Sequence, residues 1–166
     1  MTWGIPTGTF LQIHVILSLV GIAAGLIALY GLLAGKLLHA WTALFLAATV
    51  LTSVTGFPLA PFGFDPARAV GTLSLALLAI AILALYAVRL QGAWRWVYVA
   101  TAVAALYLNC FVAVAQSFQK LSFLQPLAPT QSEPPFAASE GVVLAIFLAL
   151  AIGAAMRFRP ANAGAG

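Results

Sequence analysis

The stretch LYLNCFVAVAQSFQK, residues 106–120, sets two carboxamides, Asn109 and Gln116, inside an otherwise apolar run. On an α-helix, Asn109, Ala113, Gln116 and Lys120 share one stripe, which Ala105 extends. In water that stripe would face solvent. In lipid it faces other helices, because a carboxamide among acyl chains lacks the hydrogen-bond partner that a neighbouring helix supplies. The solvent around the chain therefore decides the fold.

Composition answers that question. Of 166 residues, 64% are hydrophobic and 6% charged, and the mean hydropathy is +1.10, whereas about a quarter of the residues of a soluble domain are charged. The chain belongs in a bilayer. Its net charge of +4 and pI near 9.7 do not indicate nucleic acid, since seven basic residues scattered singly or in pairs form no patch. The single cysteine, Cys110, has no internal partner for a disulfide, and its apolar surroundings disfavour a thiolate.

Crossing about 30 Å of hydrocarbon takes roughly 20 helical residues. Five apolar runs meet that length, near residues 9–34, 37–55, 67–88, 93–119 and 136–156, and residues 1–166 read as one integral membrane domain. The first run is a retained span rather than a cleaved leader, because no positive charge precedes Phe10 and the run exceeds a signal-peptide core. Alternating polarity in short segments, the mark of a membrane barrel, is missing, so the expected fold is an all-α polytopic helix bundle. Punctuation fits these limits. Gly35 suits a helix C-terminus, Asp65-Pro66 a cap and first turn, Gly92 a break, and SEPPF from Ser132 a cap, an acidic first-turn residue and prolines.

With five crossings, Lys36, Arg89, Arg95, Arg157 and Arg159 fall on one face, while Asp65, Glu133 and Glu140 fall on the other with Arg68 and Lys120. The positive-inside rule then places the N-terminus outside and the C-terminus in the cytoplasm. Tyr30, Trp41, Tyr86, Trp94, Trp96 and Tyr98 map to the cytoplasmic interface, with Tyr107 the exception. The two outer loops, GFPLAPFGFDPA and LSFLQPLAPTQSEPPF, are too rich in proline to be helical throughout and too apolar to extend into water. They lie in the interface or roof an outward pocket.

Candidate chemistry collects at the outer side: Gln12, His14, Thr52, Arg68, Asn109, Gln116 and Glu140, with the hydroxyls of Thr49, Ser53 and Thr55. Each has a bland alternative. Asn109 and Gln116 serve helix packing or a ligand. His14 bonds a neighbouring helix, or binds metal, haem or a proton. Glu140, near a helix start, is accounted for by the helix dipole, and Arg68 by pairing with Asp65 or Glu140. Gly21 and Gly25, like Gly31 and Gly35, have the spacing of a close helix contact, read here as an internal pair rather than a dimer seam.

His14 and His39 are separated by most of the membrane, roughly 25–30 Å along the helix, so one haem does not reach both. There is no paired-cysteine metal site, phosphate loop or nucleophile elbow, and no catalytic residue or metal ligand set is assigned. The expected partners are the lipid bilayer and either a small hydrophobic ligand or other membrane subunits, with no nucleic acid. The expected function is a binding or accessory subunit with a polar outer pocket. A membrane oxidoreductase subunit holding b-type haem or quinone near His14 is the alternative, and a small-solute transporter the weaker one, for want of an inverted repeat or an acid at mid-membrane.

The stretches WTALFLAATVLTSVTGFPLAPFGFDPARAVGTLSLALLA and LNCFVAVAQSFQKLSFLQPLAPTQSEPPF resemble small, uncharacterised integral membrane proteins of proteobacteria. The resemblance spans most of the chain and implies a multi-pass protein of the bacterial inner membrane. It implies no activity, cofactor or site residue.

Overall fold

A computed structural model describes residues 1–59 and 66–159. Five helices are long and apolar enough to cross a membrane: α1 (Thr7–Leu33), α2 (His39–Gly56), α3 (Pro66–Ile82), α4 (Trp94–Lys120) and α5 (Pro134–Arg157). A π-helical turn, Leu83–Ala87, extends α3, and a short 3₁₀ turn, Gln125–Leu127, lies between α4 and α5.

Local chemistry ends α1 sharply. Gly35 takes φ +73°, its N–H donates to Leu32 O at 3.0 Å, and the N–H of Lys36 donates to Gly31 O at 2.8 Å. This is the Schellman pattern, which satisfies the last carbonyls of a helix, and only glycine adopts that φ without strain. The expected break at Gly92 (φ +54°) is shared with Arg89 and Leu90, which also take positive φ. Leu90 is buried there, so apolar packing offsets its backbone cost. The Asp65 cap lies outside the described residues.

The start of α5 differs from the sequence expectation. Ser132 does not cap it; Glu133 occupies the N-cap without a side-chain capping bond. The reason is chemical. Pro134 and Pro135 have no N–H for a cap to receive, so the Glu133 carboxylate turns back and accepts from Thr130 Oγ1 at 2.8 Å and Ser132 N–H at 3.0 Å.

The principal contacts form a ring, α1 to α2 to α3 to α4 to α5 and back to α1, with α4 also touching α1 across the middle. Gly25 explains how closely they approach: a Cβ there would lie 2.5 Å from Leu106 Cδ1 and 2.8 Å from Phe45 Cδ2. The Gly21–Gly25 spacing is thus an internal packing face. Gly31 is different, since the connection after α1 folds onto it and a Cβ would meet Leu38 Cγ at 2.6 Å.

Side-chain contacts identify the two ends of the bundle. At one, the ring of Tyr98 lies 6.3 Å from that of Phe158, and Arg95 Nη1 donates to Phe158 O at 2.9 Å. At the other, His14 meets Thr55 and Phe118 stacks edge-on with Phe136 at 5.6 Å. Tyr98 itself is a correction. It is 1% exposed and belongs to the core rather than to an interfacial belt, whereas Tyr30, Trp41, Tyr86 and Trp96 are exposed.

Candidate functional site

The Tyr98 half is closely packed, with Thr42 and Thr101 buried among apolar side chains. Phe45, Leu78, Val99, Ala102, Leu106 and Phe158 are buried there, and the void between α1, α2 and α4 leaves about 10 Å³ for the centre of a water-sized sphere. That is at the lower limit for one water molecule. A ligand has no room in it.

The His14 half is built otherwise. Its buried side chains include Thr49, Thr52, Ser53, Ser74 and Glu140, polar groups that need internal partners once lipid replaces water. Around it α4 changes character. Residues 98–106 alternate between fully buried and more open positions, but every residue from 107 to 117 is half-buried. A helix pressed against one neighbour shows a 3.6-residue rhythm of burial. Uniform half-burial means that no single face of this part of α4 is fully covered.

His14, two turns into α1, places Nδ1 2.9 Å from Thr55 Oγ1. Thr55 Oγ1 in turn donates to Leu51 O at 2.7 Å. A hydroxyl has one proton, and a carbonyl takes this one, so Oγ1 accepts from the imidazole and Nδ1 carries the hydrogen. The neutral ring is thereby assigned as the Nδ1–H tautomer, and the lone pair lies on Nε2. No hydrogen bond from the described residues engages Nε2. Lys120, at the end of α4, is within electrostatic range of the ring. Gly56 leaves room for it, since a Cβ there would lie 3.4 Å from His14 Cε1.

Asn109 does what its position on the stripe implies. Its Nδ2 donates to Thr49 Oγ1 at 3.1 Å, joining α4 to α2, and Gly21 of α1 makes space: a Cβ there would lie 3.2 Å from Thr49 Oγ1 and 3.5 Å from Asn109 Nδ2. Gln116 does not cross to another helix. Its Nε2 donates to Gln119 Oε1 at 3.4 Å, Gln119 Nε2 to Gln131 Oε1 at 3.0 Å, and Gln131 Nε2 to Ala115 O at 2.7 Å. This relay ties the loop before α5 back onto α4. Gln119 and Gln131 escape sequence reading because their pairing spans a loop of unpredictable path.

The remaining candidates separate. Gln12 is exposed. Thr52 is buried, and among the described residues its hydroxyl has no hydrogen-bond partner. Arg68 Nη2 donates to Phe57 O at 3.4 Å; its expected pairing with Asp65 lies outside the described residues. Glu140 makes no bond to Arg68, because neither carboxyl oxygen has a partner among the described residues. The structure thus brings His14 to Thr55 and Asn109 to Thr49, and does not join the candidates into one cluster. Among the described residues, no three His, Cys, Asp or Glu side chains converge.

No protein-family model matches the sequence, and comparison with curated proteins and with solved structures finds no similar chain.

Proposed function

We propose that this multi-pass membrane protein is a binding or accessory subunit of the bacterial inner membrane, holding a small hydrophobic ligand in its His14 half. The observation that carries the reading is the His14–Thr55 pair. It leaves Nε2 as a hydrogen-bond acceptor in a half-buried position, suited to a ligand whose apolar body lies along the loosely surrounded part of α4 and whose head group bears a hydroxyl. The N-terminus is proposed to lie outside, on the positive-inside argument.

The same lone pair favours a second reading. An imidazole whose Nδ1–H is held by an acceptor and whose Nε2 is open has the arrangement of a haem or metal ligand. One preparation separates the two. The gently purified protein, examined by absorbance and by mass spectrometry of its organic extract, is expected to show no Soret band and to carry a hydroxylated amphiphile or quinol that His14→Ala loses. A Soret band abolished by His14→Ala establishes the haem reading, and an extract identical to bulk lipid in both proteins removes the ligand reading. Reporters fused after Arg95 and after Gln131 test the orientation, with the first expected in the cytoplasm and the second outside.

A further inference from the structure

Glu140 is 8% exposed. Both carboxyl oxygens expose less than 1 Å², and neither has a hydrogen-bond partner among the described residues. Phe136 and Phe147 bracket it along α5 and pack on Phe118 and Tyr107 of α4, so Glu140 lies in the α4–α5 seam. A buried carboxylate requires donors or a counter-charge, and among the described residues each source is closed.

The helix start does not supply one. Pro134 and Pro135 have no N–H, and those of Phe136 and Ala137 both donate to Glu133 O, at 3.1 and 3.2 Å. Glu140 is also beyond the first turn of α5, where the dipole acts. This replaces the sequence expectation that the dipole accounts for the carboxylate. Among the described residues no cation supplies one either. α5 packs against α4 and α1. The titratable groups of α4 within range of Glu140 are Tyr107 and Cys110, neither cationic, while Lys120 lies toward His14. On α1, His14 is bonded to Thr55 of α2 and Tyr30 is exposed at the other end of the bundle. In the loop before α5, Glu133 is engaged by Thr130 and Ser132. Water and small cations are excluded by the same enclosure, since a water-sized sphere scarcely touches either oxygen.

We infer that Glu140 is a proton-binding site: in this conformation its carboxyl is the neutral acid, and release of the proton requires the α4–α5 seam to open. The step balances simply. The O–H bond breaks, the proton passes to water at the His14 end, and the remaining carboxylate gains solvation only when the seam admits water. The inference is independent of any ligand at His14.

Cys110, the single cysteine of the chain, reports on this seam. In liposome-reconstituted protein with a stable fold confirmed by melting, maleimide labelling of Cys110 is expected to be equal in wild type and Glu140→Gln at mildly acidic pH. At alkaline pH wild type is expected to label faster by roughly fivefold or more, within the usual range of coupling between sites. Equal rates at every pH overturn the proposal. A charged Glu140 disfavours the Cys110 thiolate, so thiolate formation alone favours Glu140→Gln, and faster labelling of that variant also overturns the proposal.

A second measurement leaves the seam untouched, in case Glu140→Gln does not fold. The chain has two glutamates, Glu133 and Glu140. With carbon-13 glutamate incorporated, the infrared spectrum of Glu133→Gln at neutral pH is expected to contain an isotope-shifted protonated-carboxyl band. Finding only the carboxylate bands overturns the proposal.

Discussion

The two halves of the bundle use the same five helices differently. Toward Tyr98, glycine and alanine bring backbones together and large apolar side chains fill what remains: Ala81, Ala84, Ala105 and Leu78 have no exposed surface. Toward His14, hydrogen bonds from His14 to Thr55 and from Asn109 to Thr49 stand beside the ring contact of Phe118 and Phe136, and residues 107–117 of α4 are half-buried throughout. In lipid the first arrangement draws on dispersion and shape, the second on the cost of leaving polar groups unpaired. Close packing tolerates little change in volume, while a hydrogen-bonded contact tolerates volume but not loss of a partner.

The contrast is broken most severely at Gly25. Gly25→Val drives a branched side chain into Leu106 and Phe45 and is expected to cost about 3 kcal/mol, the upper part of the range for overpacking. Thermal unfolding in detergent measures it, and Gly141→Val, where nothing lies within 4 Å of a Cβ, is the control with little expected effect. Next comes a matched pair on one helix. Leu106→Ala, at a site 1% exposed, is expected to lose about 2–5 kcal/mol, and Val112→Ala, half-buried one and a half turns further on, distinctly less. Equal losses would show that the His14 half is packed as tightly as the other.

A smaller effect sharpens the other side. Asn109→Ala and Thr49→Val are each expected to cost about 1 kcal/mol, with a coupling near 0.6 kcal/mol in a double-mutant cycle, the average for bonds between membrane helices. Zero coupling would reduce their contact to proximity.

The smallest effect is a pH dependence at the rim. Although desolvation raises it, the carboxyl of Glu133 lies below its ordinary range, because bonds from Thr130 and Ser132 favour the anion. A carboxyl depressed on folding stabilises the fold above its unfolded value near 4.5, and that contribution disappears as pH falls through the lower folded value. Unfolding of the loop before α5, followed by limited proteolysis, is therefore expected to rise at acid pH in wild type. Glu133→Gln should be flat over the same interval.

What could be read from the sequence follows the range of the interactions concerned. The five helices are legible because hydropathy is a sum over about 20 neighbouring residues. Asn109 is legible because helical spacing alone places it beside Ala105 on an inward stripe. Gln116 lies on the same stripe, but it is near the helix end, where a carboxamide has local partners, and the stripe does not distinguish Gln119 from a group across the bundle. Thr55 is 41 residues from His14, so their pairing depends on how α1 and α2 register against each other. Glu140 was within reach: it stands beyond the first turn of α5, where the dipole acts, and that turn has lost two of its N–H groups to Pro134 and Pro135.

The clasp at the Tyr98 end also bears on how the molecule is made. α5 is synthesised after its four companions and shows lipid a broad face that includes Val142, Ile146, Ile152 and Met156. Its seat is prepared in advance by Tyr98 and by Arg95, whose guanidinium rests 4.3 Å from the Trp96 ring centre. Until Phe158 arrives, the Tyr98 ring and the Arg95 guanidinium lack these contacts, so this end of the bundle closes only when the last helix takes its place.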